Sequence, residues 1–444
     1  MFLRRKLESG NWTCHLGRRW TTAEDIYLQG GNRASMTGDI DHFEHTHESS
    51  SVLYGPGCVE QLSTKLDSDG CERVLVVTGR TVGANDAVMD PIRDGLGRLL
   101  AGVFDETTPA KSAATARDGV GRMEAVGADA LLAVGGGSSI DVARAMSVFE
   151  AEDRPAASLF SEVLPNGEIR TPEMQAPKTP VYTVPTTLSG AELTCAAGIN
   201  LDEHAGGEKG DIRAAPIFDP KITPEANFYD PTLLASTPDG VVARSGMNGF
   251  NHGVEAIYSR NANPVTDASA SHGLNILRET LPELGDNPNV EMLGRAQVGV
   301  ALTSQGLIDP ESNANKYNLI HAFGHILSRF YDIQQGAVHG IVTPHVLAFV
   351  FESVDGRRRL LGEALSVAVD RMDKEAVAAG VIEAVADVRD GLGLPTRLRD
   401  VPELHRDDLP ELADAITEDV GLLNNPPGLD PTAEELLGVL EAAW

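Results

Sequence analysis

Lysine is scarce in this chain. Only 8 of its 36 basic residues are Lys, and they face 65 acidic residues, for a formal charge of −29 over 444 residues. A field of that sign repels phosphate backbones and anionic headgroups, which excludes nucleic acid and membrane surfaces as partners. Long hydrophobic runs are missing too. Nothing approaches the roughly 18 consecutive apolar residues of a membrane span, and the N-terminus lacks the apolar stretch of a secretory signal. The expectation is a cytoplasmic protein. Cysteine is limited to Cys14, Cys58, Cys71 and Cys195 with no C-x-x-C pair, so no thiolate metal spacing is present and reduced thiols are expected. Few Lys among dispersed carboxylates is the composition of a halophilic protein, kept soluble in strong salt that screens its self-repulsion.

The length calls for two domains, and 42% hydrophobic residues are enough to pack their cores. The first 35 residues do not match the rest. Arg4, Arg5, Lys6, Arg18, Arg19 and Arg33 outnumber Glu8, Glu24 and Asp25, and no hydrophobic period is visible. Residues 1–42 therefore read as a disordered extension, with Met36 an alternative start. From residue 43, short apolar runs alternate with helical stretches. Strands are expected at 51–54, 73–78, 102–104, 128–134 and 180–185, and the polar, Pro-containing stretch 148–178 reads as an excursion. This pattern predicts a doubly wound, Rossmann-like α/β domain with a parallel sheet over 43–231. Beyond Tyr229-Asp230-Pro231 strand signals almost vanish, and helical periods at 267–283, 292–305, 358–371, 374–392 and 432–443 predict an all-α domain over 232–444.

Three stretches carry chemistry. Val134-Gly-Gly-Gly-Ser-Ser-Ile-Asp141 sits where a strand becomes a helix. Gly135, Gly136 and Gly137 let the backbone approach a pyrophosphate, and Ser138 stands at the helix N-terminus, where free N–H groups favour an anion. Asp141, in the first turn, reads as a cap or as a contact to a cofactor hydroxyl. The stretch is neither G-x-G-x-x-G nor a Walker A loop, because no Lys follows. The second is Pro185-Thr-Thr-Leu-Ser-Gly-Ala-Glu-Leu-Thr194. Its dense hydroxyls (Thr186, Thr187, Ser189, Thr194) suit a phosphate and ribose cradle, and equally a loop that caps a helix. The third is a polar constellation. His321 and His325 lie one turn apart on one helix face, as do Asn248 and His252, and Gly336 and Gly340 bracket an expected loop that returns His339 to them. Such groups suit a metal ion or a polar substrate.

Taken together, Gly135–Asp141, Pro185–Thr194, His321-Ala-Phe-Gly-His325, Phe330–Ile333, His339-Gly340, Pro344-His-Val346, Leu392–Arg397 and Asn424-Asn-Pro426 resemble the iron-containing alcohol dehydrogenase family, from about residue 43 to the C-terminus. The resemblance implies the dehydroquinate synthase-like architecture, with a dinucleotide-binding α/β domain, a helical domain and hydride transfer in a cleft between them. It implies an NAD(P)-dependent interconversion of a small-molecule alcohol and a carbonyl, and by analogy a homodimer. It maps the family's metal ligands onto Asn248, His252, His321 and His339, places His325 with His252 at the catalytic centre, and sets Lys209 beside the cofactor. Two departures stand out. Asn248 replaces a ligating Asp, as in the metal-free maleylacetate reductase branch, and this weakens the case for Fe or Zn. Four extra residues separate Ile333 from His339. At the end of the second strand, Gly79-Arg80 stands where an acidic residue would hold a ribose hydroxyl. Arg80 leans the choice towards NADP over NAD. The rival functions are a metal-free maleylacetate-type reductase, a dehydroquinate synthase-like lyase, and a nucleotide-binding protein without chemistry.

Overall fold

The computed structural model describes residues 50–152, 154–163, 169–174, 177–201, 214–285, 288–308 and 315–444. The expected disordered extension and Lys209 lie outside the described residues.

The α/β part is built on strands β1 (Ser51–Tyr54), β2 (Val74–Gly79), β3 (Leu100–Thr107), β4 (Ala130–Gly135) and β5 (Val181–Pro185). A two-stranded antiparallel ladder follows, β6 (Ala196–Asn200) with β7 (Ala214–Phe218), and then β8 (Ala226–Tyr229). Six of these strands form one parallel sheet in the order β1-β8-β5-β4-β2-β3. Its central strands are buried along their length, with only Gly79 at the end of β2 partly exposed, which explains their near-continuous apolar sequences. Helices α1 (Leu62–Ser68), α2 (Asp86–Leu96), α3 (Ala113–Val126) and α4 (Gly137–Ala151) supply the covering layers. One apolar cluster, with Leu62, Leu66, Met89 and Ile92, lies against one face of the sheet. Another, with Met123, Ile140 and Met146, lies against the other.

The chain leaves β2 for β3 on one side and then returns to β4 on the other. The carboxyl ends of β2 and β4 therefore flank a topological switch point, the place where open α/β sheets bind ligands. Gly79 and Gly135 end these two strands.

The remainder of the chain is helical: α5 (Asp239–Tyr258), α6 (Pro264–Thr280), α7 (Val290–Ser304), α8 (Leu319–Phe330), α9 (Gln335–Ser353), α10 (Lys374–Gly391), α11 (Leu409–Thr417) and α12 (Ala433–Ala442), joined by shorter turns. A single apolar cluster runs through them. No described helix is long and apolar enough to cross a membrane.

Three local expectations fail. Strands β6, β7 and β8 were not expected, because Ala-Ala-Gly-Ile-Asn and its partners show no apolar alternation. The expected helix at 358–371 stops at Ala364. The expected loop between Gly336 and Gly340 is the start of α9. Those glycines serve close packing: a Cβ at 336 would fall 1.7 Å from the Arg244 carbonyl oxygen of α5.

Candidate functional site

The glycine-rich turn and the hydroxyl-rich loop lie side by side. Thr186 N donates to Gly135 O at 3.0 Å. A Cβ on Gly136 would stand 2.9 Å from Thr187, and one on Gly137 would stand 3.3 Å from Ala191. Gly135 has φ +142°, a conformation side chains disfavour. The N-terminus of α4, where Ser138 sits, opens at this junction with no side-chain cap on its N–H groups. Thr187 Oγ1 bonds Ser189 Oγ at 3.1 Å.

A buried cation holds the loop. Arg144, fully buried in α4, donates Nη1 to Ala191 O at 2.8 Å and Ala196 O at 2.9 Å, Nη2 to Glu192 O at 3.1 Å and to Thr194 O, and Nε to Ile222 O at 3.2 Å. Thr194 is thereby tied into this brace. Asp141 caps nothing. It is buried, with Lys111 Nζ at 2.6 Å and Arg144 Nη1 at 3.8 Å, so its carboxylate serves these two cations. Arg80 is exposed just past β2, at the start of a helical turn, Arg80–Gly83.

The helical part gathers the histidines. His321 and His252 stack with ring centroids 5.3 Å apart, and His339 meets His321 edge-on at 4.5 Å. All three rings are buried. Burial first, and then the neighbouring imidazoles, hold each of them well below the usual histidine range, so they are neutral. Tyr317 leans over the group, 4.4 Å from His321 and 5.3 Å from His252.

Hydrogen bonds settle the tautomers. Asn248 Nδ2 lies 3.1 Å from Ser189 O and 3.1 Å from His252 Nε2. A carbonyl oxygen only accepts, so the atom facing it is the amide nitrogen. His252 Nε2 then accepts the second N–H, its proton sits on Nδ1, and Nδ1 donates to Ser304 Oγ at 2.7 Å. Only glycine fits at 190, where φ is +70° and a Cβ would fall 2.3 Å from Ser304 Oγ. Both nitrogens of His252 are thus committed. His321 Nδ1 bonds the buried Glu255 Oε2, and Glu255 Oε1 accepts the His321 backbone N–H at 3.1 Å. Burial raises the Glu255 carboxyl to about 8. His321 Nε2 is buried and has no partner. His325, about a third exposed, bonds Asp419 Oδ2 through Nδ1 at 3.1 Å. Burial works to lower its pKa, but the Asp419 carboxylate prevails and raises it, and in turn His325 lowers Asp419.

The metal ligands implied by the resemblance are neighbours, but their donors do not fit an ion. Among the described residues no three His, Cys, Asp or Glu side chains are disposed to hold a metal. Asn248 supplies no charge, and its N–H fills the His252 lone pair that a metal would need. His339 Nε2 faces helix α8, so close that a Cβ on Gly324 would lie 2.3 Å away. Asn248 Oδ1 and both nitrogens of His339 are buried without partners.

Sequence reasoning missed Glu255, Ser304, Tyr317 and Asp419. Glu255 had a signal, three residues after His252 on one helix. Asp419, 94 positions from His325, had none.

Two family profiles match the chain. One, described as iron-containing alcohol dehydrogenase, covers residues 49–231. The other, described as the C-terminal part of the Fe-containing alcohol dehydrogenase family, covers residues 242–444. Lactaldehyde reductase of Escherichia coli (strain K12) is 27% identical over 404 residues, 89% of this chain and 98% of its own length. Maleylacetate reductase 2 of Cupriavidus pinatubonensis is 28% identical over 321 residues, 71% of this chain and 76% of its own. The crystal structure of a 1,3-propanediol oxidoreductase superposes with TM-score 0.79 at 21% identity, covering 91% of this chain and all of the other.

Proposed function

The chain belongs to the iron-containing alcohol dehydrogenase family, and on that premise we propose how its own residues carry out the reaction. It is a nicotinamide-dinucleotide-dependent oxidoreductase that interconverts an alcohol and a carbonyl compound. This leaves no support for the lyase or for the nucleotide binder without chemistry. Membership implies a nicotinamide dinucleotide and a divalent metal, usually iron.

In the proposed reading the dinucleotide lies across the carboxyl ends of β2 and β4. Its pyrophosphate rests on the Gly135–Ser138 turn and on the Thr187 and Ser189 hydroxyls. Arg80 pairs with a ribose 2′-phosphate, which favours NADP. The carbonyl oxygen of the substrate sits against His321 Nε2, the unpartnered nitrogen whose ring Glu255 anchors from behind. Hydride passes from the reduced nicotinamide to the carbonyl carbon. The developing alkoxide takes a proton from the imidazolium of His325, which Asp419 keeps charged. One hydride and one proton are consumed, and an alcohol and an oxidised dinucleotide leave.

The reading works without a metal. The observation that carries it is the Asn248 amide, which donates to His252 at the place where the resemblance puts an ion. The partnerless nitrogens of His339 and the partnerless oxygen of Asn248 favour a second, metal-holding reading. Elemental analysis of protein purified in high salt, with NADH and NADPH oxidation measured with and without chelator, separates the two. The expectation is far less than one metal per chain and chelator-resistant reduction that is faster with NADPH. Asn248→Asp should gain both bound metal and chelator sensitivity. Near-stoichiometric Fe or Zn in the unaltered protein, with activity lost to chelator, would establish the second reading.

A further inference from the structure

Helix α8 carries its polar groups on one face. His321, His325 and Arg329 follow one another at intervals of four residues, so they line up along a single side of the helix. The line runs outward from buried His321, through His325, to half-buried Arg329.

Arg329 is unusual in this molecule. The described arginines that are not exposed are Arg144, Arg154, Arg244, Arg278, Arg329, Arg357, Arg358 and Arg389. Seven of them donate to carbonyls, to a side-chain amide or to carboxylates. Among the described residues Arg329 has no such bond, in a chain with 65 acidic residues. Asp419, whose carboxyl feels the Arg329 charge, is already occupied: Oδ2 faces His325 Nδ1 at 3.1 Å and Oδ1 accepts Gly421 N at 2.8 Å. The last turn of a helix favours a cation. That accounts for the sign of residue 329, but not for a guanidinium half-withdrawn from water with all its donors unused.

We infer that Arg329 is the anchor for a carboxylate at the far end of the substrate, so that the preferred substrates are short aldehydes or ketones bearing an acid group. This rests on the reading above, in which His321 faces the reacting carbonyl. Side chains on a helix lean towards its N-terminus, Arg329 lies close enough for its charge to act on both His325 and Asp419, and a planar fork of donors matches a carboxylate. The group acts through permanent charge and geometry, and it takes no part in hydride or proton transfer.

The test pairs two aldehydes of equal chain length, butanal and succinic semialdehyde, with the intact chain in high salt. The unaltered protein should show the lower KM for succinic semialdehyde. Arg329→Gln should raise that KM by about 10- to 100-fold, the range of a lost charge-assisted hydrogen bond, with kcat and the kinetics of butanal unchanged. Arg329→Lys should recover part of the loss. Equal preference in the unaltered protein, or an equal effect of Arg329→Gln on both aldehydes, overturns the anchor. If neither aldehyde is reduced, the oxidoreductase reading of the pocket is in question, and calorimetric binding of glutarate still decides the anchor. Binding that weakens in Arg329→Gln supports it. No binding, or equal binding by both proteins, refutes it. Thermal unfolding of each variant confirms that the fold is retained.

Discussion

The two ends of the site are built on opposite plans. At the sheet end the buried cation and its carboxylate are matched internally, and the polar atoms left without partners there are fewer, Thr78 Oγ1 and Glu192 Oε2. Asp141 serves Lys111 and Arg144, Arg144 serves four loop carbonyls and Ile222, and the backbone is left free to meet a ligand. At the helical end, polar groups are buried and partly unmatched. Three imidazoles are held neutral, and His321 Nε2, Asn248 Oδ1 and the two nitrogens of His339 have no hydrogen-bond partner. Buried polar groups normally find partners. A largely satisfied end makes a stable platform, and a less satisfied end stores the cost of polar atoms that a bound ligand can relieve.

The sharpest way to break this contrast is to remove the central unsatisfied group. His321→Ala should lower kcat for carbonyl reduction by on the order of 10²–10⁴, while dinucleotide affinity, measured by fluorescence titration, stays the same. If affinity falls in parallel, the two ends are not separate devices. The next test attacks the satisfied end. Arg144→Met strips several buried carbonyls of their donor and leaves Asp141 with one cation. It should cost about 3–5 kcal/mol in thermal or denaturant unfolding, and weaken dinucleotide binding in whatever protein remains folded. Unchanged binding in a folded variant would show that the loop keeps its shape unaided.

The smallest test is pH. A group whose folded pKa is depressed adds stability above its unfolded pKa and loses it as pH falls. His252, His321 and His339 are of this kind, so stability should decline as pH drops below about 6.5, the unperturbed histidine value. Glu255 has the opposite sign: its raised carboxyl favours folding at low pH, and that contribution fades as pH rises through about 8. The acid decline should therefore steepen in Glu255→Gln and become shallower in His339→Leu, read as the slope of unfolding free energy against pH.

The same contrast governs what could be read from the residues in order. The sheet end was legible because its parts are contiguous: a strand, three glycines and a helix start make one unbroken stretch, and so does the hydroxyl loop. The helical end was legible only where two groups share a helix. His321 with His325 and Asn248 with His252 stood out by their spacing. The anchors of those rings did not, because Glu255 reaches His321 across 66 positions and Asp419 reaches His325 across 94. Glycine's usual role as a breaker places His339 on a loop. In α9, Gly336 instead marks a near-contact with α5 that no local rule reveals. Arg144 carries no local signal, because an arginine inside a helix is usually a surface residue.

Arg144, Lys111 and Asp141 together leave one excess positive charge behind the α4 N-terminus, in a molecule whose formal charge is −29. A pyrophosphate-bearing dinucleotide therefore diffuses towards a surface that repels it almost everywhere, and this spot offers a local reprieve. Added salt shortens the range of the general repulsion, to about 3 Å at 1 M, but weakens much less an attraction from charges that are largely buried. Cofactor capture should then speed up as salt rises, the reverse of the behaviour of enzymes that draw anions to a basic surface.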